Sequence, residues 1–246
     1  MDLLTRADTA TESIAKPLAP VDESAVLTRC AQYRDGLKGA AVSLPASLLR
    51  FTTVREWMQR QRVAVHVTTD GELAQAVVAG TEPGRIVIHP REGLRESTHR
   101  TGSADAARFV VSSNRHVAWR AAHTVKGQQV LVDAAADDVG ALAYEVLGHA
   151  GLDLTGLHCR LERGDVVGAL TLSRAIGEMA WIRRRHGVLL TQISLANLDV
   201  GQRCERWILR RVAGAISEVI DEACARHRFP RPALTVAPSR GALLGH

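Results

Sequence analysis

Short apolar runs that stop at polar side chains, each followed by a stretch of helical periodicity, recur along this chain. The clearest is Gly151-Leu-Asp-Leu-Thr-Gly-Leu-His-Cys-Arg160, an apolar strand over 152–157 that ends in His158 and Arg160. An apolar run too short for a helix and bounded by turn residues reads as a strand buried on both faces. The same pattern predicts strands over 39–44, 62–67, 85–89, 107–111, 129–132, 188–195 and 233–237. Helical spacing of apolar positions predicts helices over 22–37, 49–61, 70–79, 92–104, 114–123, 137–150, 165–186 and 202–227. In the first of these Val26, Cys30 and Tyr33 share a face; in the last Ile208, Val212, Ile216, Val219 and Ala223 point inward.

Strands that alternate with helices argue for a parallel sheet. Eight of them in 246 residues predict an α/β fold, a closed (β/α)8 TIM barrel. An open doubly wound sheet is the alternative, but no GxGxxG turn follows an early strand. In a parallel barrel all strands end at one mouth, so the residues at their ends face the ligand. Those ends carry His89, Asp133, His158, Arg160, Asn197 and Asp199.

Composition narrows the partners. The chain is 46% hydrophobic and 23% charged, which suits a globular domain. Its net charge of +5 comes from arginine, because the lysines are only Lys16, Lys38 and Lys126. Aromatics are 4%, and the run Arg183-Arg184-Arg185 reads as a solvated helix end, so no nucleic-acid partner is expected. No run approaches a membrane span or a signal core, and cytoplasmic localisation is the expectation. Cys30, Cys159, Cys204 and Cys224 are widely spaced, so neither a disulfide nor a metal site is expected, and Cys159 reads as packed core. Residues 1–20 read as a loose polar arm ahead of a single barrel domain over 21–246.

Several segments, in order along the chain, resemble the barrel domain of the pyridoxal-phosphate (PLP)-dependent decarboxylases of fold type III, the alanine racemase/decarboxylase type, and diaminopimelate decarboxylase most of all. They are His66-Val-Thr-Thr-Asp-Gly-Glu-Leu73, Arg85-Ile-Val-Ile-His89, Arg108-Phe-Val-Val-Ser-Ser113 and Leu154-Thr-Gly-Leu-His158, together with Pro17-Leu18, Val21-Asp22-Glu23 and Arg29-Cys30 at the start. The resemblance runs from about residue 17 to 240. It implies a PLP pocket at the barrel mouth and a dimer, either of this chain with itself or with a full-length decarboxylase homologue. The expected fold is accordingly the barrel alone, lacking the family's C-terminal β-domain.

The departures matter as much. The family's Schiff-base lysine ends the first barrel strand; an ungapped count places that position on Ser47, a shifted one on Ser43. A hydroxyl cannot form an imine with the cofactor aldehyde. The family's ring-stacking histidine becomes Arg160, its glycine phosphate loop becomes Asp199-Val200-Gly201, and its Glu-Pro-Gly-Arg becomes Ala237-Pro238-Ser239-Arg240. The degenerate pocket implied by the resemblance is therefore His89, His158, Arg160, Asp199, Gly201, Ser239 and Arg240. Glu72 reads equally as a pocket residue or a helix-start acid. Arg160 reads as an anion site or as the partner of Glu162 or Asp133. Two functions follow as expectations. One is a barrel inactive as a decarboxylase, with a binding or regulatory role toward a small anionic or amino-acid ligand. The other is a divergent amino-acid lyase or racemase that holds PLP non-covalently.

Overall fold

The structure, a computed structural model, describes residues 21–89, 108–124, 127–162, 165, 167–201 and 204–245. The arm expected over 1–20 and the helix expected over 92–104 lie outside the described residues.

The strands are β1 (Ala41–Pro45), β2 (Ala64–Val67), β3 (Ile86–Ile88), β4 (Arg108–Val111), β5 (Gln128–Asp133), β6 (Leu152–Arg160), β7 (Gln192–Leu198) and β8 (Ala233–Pro238). All pair in parallel and in sequence order, and β8 returns to β1 through Ala41 opposite Thr235 and Val42 opposite Val236, closing the barrel. The helices are α1 (Glu23–Gly36), α2 (Thr52–Arg60), α3 (Asp70–Val78), α4 (Asn114–Ala122), α5 (Val139–Leu147), α6 (Ala169–His186), α7 (Arg206–His227) and α8 (Arg240–Leu244). Side-chain oxygens of Asp22, Thr69, Ser113 and Asp138 cap α1, α3, α4 and α5 by accepting backbone N–H groups of the first turn.

Several boundaries differ from the sequence pattern, and three of them have a specific cause in pairing or capping. The strand expected over 188–195 begins at Gln192 and runs to Leu198, because its pairing is fixed by Gly156 on one side and Ala233 on the other, both opposite Gln192. The apolar residues 188–190 are an unpaired lead-in, with Leu190 buried and Leu189 exposed. β6 extends past its apolar run to Arg160, since Arg160 still pairs with Ala196. Helix α6 begins at Ala169 rather than 165, because the Asp165 carboxylate accepts the N–H groups of Val167 and Gly168 and closes a turn before the helix.

The apolar core is divided. Outward-facing strand residues such as Leu44, Val65, Val67, Ile88, Val132, Leu157, Ile193 and Val236 pack against helix residues such as Val26, Met58, Leu73, Val117, Ile176, Met179 and Ile216 in one continuous layer. Inside the barrel Val87, Val110 and Leu131 make a small separate cluster. The rest of the lumen is polar: Ser43, His66, His89, Arg108, Gln192, Ser194 and Thr235 surround a narrow void. There Arg108 donates to the Gln192 side-chain oxygen at 3.3 Å. At Gly156 the strands β6 and β7 approach so closely that a Cβ would lie 1.9 Å from the Gln192 carbonyl oxygen.

Candidate functional site

The carboxyl ends of β1, β2, β3, β6, β7 and β8 open onto a cleft of about 260 Å3. Ser47, His89, His158, Arg160, Ser239 and Arg240 all line it, so six residues singled out from the sequence converge. Asp199 and Gly201 join them through the Asp199–Ser239 contact. His66, Thr68 and Asn197 line the cleft as well.

Three imidazoles form its floor. His158 on β6 meets His89 edge-on at 4.5 Å between ring centroids, and His89 meets His66 of β2 at 6.0 Å. His158 Nδ1 bonds the Ser194 hydroxyl at 3.1 Å, while its Nε2 and the Nδ1 of His66 are buried with no hydrogen-bond partner among the described residues. Burial pushes the His158 imidazole down to about 3, and the positive charge of Arg160 and the neighbouring His66 act in the same direction. Burial likewise pushes His66 down to about 4, against the opposing pull of Glu72 and the Ser43 carbonyl. Both rings are therefore neutral near pH 7, each able to offer one donor and one acceptor. Sequence reasoning quoted His66 within a motif but did not assign it to the site. The signal was the alternation Ala64-Val-His-Val, which turns Val65 and Val67 to the helix layer and His66 to the lumen.

The walls are charged. Glu72 sits in the first turn of α3 and also lines the cleft; its Oε2 accepts the Thr68 N–H at 2.7 Å and the Thr68 hydroxyl at 2.8 Å. The two readings of Glu72 thus hold together. Arg160 pairs with Asp133 at 3.6 Å, and the buried Asp133 carboxylate also accepts the Ala135 N–H at 3.0 Å. Cys159 faces away into the core, where burial pushes its thiol up to about 12.

A PLP Schiff base does not fit these residues. No lysine lines the cleft among the described residues. Lys38 is exposed and precedes β1, at the end of the barrel away from the mouth. Ser43 lies on β1 with its hydroxyl buried in the lumen, and Ser47 lies past the strand at the mouth; both hydroxyls lack partners among the described residues. In the loop after β7 a carboxylate of the chain already holds two donors. The Asp199 carboxylate accepts the Gly201 N–H at 2.8 Å and the Ser239 hydroxyl at 3.0 Å.

Among the described residues no cluster of three or more His, Cys, Asp or Glu is placed to hold a metal ion, and no helix is long and apolar enough to cross a membrane. No family model and no curated protein matches the sequence. Solved structures do match. Lysine decarboxylase from Selenomonas ruminantium aligns over 97% of this chain and 66% of its own, with 16% identity and a TM-score of 0.69. Diaminopimelate decarboxylase from M. jannaschii aligns over 91% of this chain and 60% of its own, with 14% identity and a TM-score of 0.72. Ornithine decarboxylase from Entamoeba histolytica aligns over 89% and 63%, with 14% identity and a TM-score of 0.68. This chain thus spans 60–66% of the length of these three proteins. The closed eight-stranded parallel barrel described here is the fold it shares with these lysine, diaminopimelate and ornithine decarboxylases.

Proposed function

We propose that this chain is a decarboxylase-like barrel that does not decarboxylate amino acids and whose mouth binds a small polar ligand, in a binding or regulatory role. One observation carries the reading: the described mouth has serine hydroxyls and no lysine where the resemblance calls for an amine, and a hydroxyl cannot form the imine on which that chemistry depends. What remains is a recognition surface. The neutral His66 and His158 offer hydrogen bonds from a buried floor, Glu72 and the Asp133–Arg160 pair give the walls their charge, and Arg240 stands at the rim. The reading extends to the partner, a second copy of this chain or a full-length decarboxylase homologue. The alternative of a lyase or racemase holding PLP without a covalent bond needs a phosphate cradle, and there Asp199 already accepts the Gly201 N–H and the Ser239 hydroxyl.

The test is titration of the purified protein with PLP, followed by borohydride reduction and mass mapping. The expected result is no aldimine absorbance and no reduced adduct. An adduct mapped to any one lysine in stoichiometric yield refutes the proposal.

A further inference from the structure

In (β/α)8 barrels the loops after the seventh and eighth strands commonly hold a phosphate group. Here those loops hold a carboxylate of the chain itself. Asp199 follows β7 directly, and its two oxygens take two different donors, the Gly201 N–H at 2.8 Å and the Ser239 hydroxyl at 3.0 Å. Gly201 has φ +78°, a left-handed conformation that glycine adopts without strain and that turns its N–H back toward Asp199. The Ser239 oxygen meanwhile accepts the Ala242 N–H at 3.0 Å, so the single hydroxyl proton is committed to Asp199. Ser239 N–H bonds the Leu198 carbonyl at 2.9 Å, so it too is taken. A backbone N–H, a hydroxyl and the nearby Arg240 guanidinium are the donor types that recognise phosphate oxygens. Two of the three are already satisfied by an anion, and that anion would repel a second one at contact distance.

We infer that Asp199 is a built-in anion: it fills the phosphate position of this mouth and restricts the cleft to ligands that carry no phosphate group. The inference rests on the mouth being the binding site, as proposed above. It makes Asp199 a specificity-determining residue, and it leaves the selective ligand contacts to His66 and His158 on the floor and to Glu72 on the wall.

Isothermal titration with inorganic phosphate, against chloride at equal ionic strength, tests this on four proteins: wild type, Asp199→Ala, Asp199→Asn and the double variant Asp199→Ala/Arg240→Ala. Wild type is expected to show no saturable phosphate binding. Removing the carboxylate charge is expected to tighten phosphate binding by roughly tenfold to a hundredfold, the worth of a charge-assisted hydrogen bond. The double variant is expected to lose that gain, which locates it at the mouth. Asp199→Asn keeps the side-chain shape and carries the test if Asp199→Ala does not fold. Saturable phosphate binding by wild type overturns the inference, and so does the absence of any gain in the folded Asp199 variants. Neither result bears on lysine chemistry, which the borohydride experiment reads separately.

Discussion

Acid should unfold this protein earlier than its carboxylates alone would require, and the cause is the pair of imidazoles beneath the mouth. His158 titrates at about 3 and His66 at about 4 in the folded chain, against 6.5 for an ordinary histidine. A folded pKa below the unfolded one means that the unfolded chain binds the extra proton, so stability falls as pH drops from 6.5 toward the folded values. Each such histidine contributes a slope of about 1.4 kcal/mol per pH unit across that window. From pH 7.5 to pH 5 the unfolded chain gains roughly 2 kcal/mol per ring, and the two together remove about 4 kcal/mol, a large share of a typical domain's 5–15 kcal/mol. The window ends near pH 4 for His66 and near pH 3 for His158, where the folded rings also protonate. Urea denaturation at half-unit intervals of pH measures the slope, and the His158→Gln variant should lower it by about a third to a half. Resonances of the two imidazole Cε1–H groups give the folded pKa values directly. Stability that stays flat between pH 7.5 and 5, or a His158 ring that titrates near 6, refutes the reasoning.

Two further outcomes follow. Gly156→Ala should abolish the cooperative unfolding transition or cost more than about 4 kcal/mol, because its Cβ would stand 1.9 Å from a backbone carbonyl that belongs to the β6–β7 ladder; Gly84→Ala, where a Cβ meets nothing within 4 Å, should be near-neutral by the same urea assay. A thiol reagent should find the four buried cysteines unreactive in the native protein and fully reactive after denaturation, since burial pushes Cys30 and Cys159 up to about 12 and Cys204 to about 11.

The order of strands and helices was readable because each strand carries a short apolar run that the helical period cannot absorb. The mouth was readable where a polar residue ends such a run, as His89 ends β3 and His158 interrupts β6. What escaped is informative. Gln192, Ser194 and Arg108 lie within or at the start of strands, and nothing in the apolar pattern marked them as lumen lining. The start of β7 was misplaced because hydrogen bonds from both neighbours, and not the hydrophobicity of Val188, Leu189 and Leu190, decide where pairing begins. The second oxygen of Asp199 could not be assigned from sequence at all, since its partner Ser239 lies 40 residues away.

The split between the greasy outer shell and the polar lumen separates two kinds of selection. Residues that hold the barrel closed stand on the helix side of each strand, and residues that meet a ligand stand on the other side of the same strand, one position away. The residues lining the lumen can therefore be exchanged without disturbing the packing that holds the barrel closed. In such a protein the shape alone does not name the ligand, which has to be read from the inward-facing side chains.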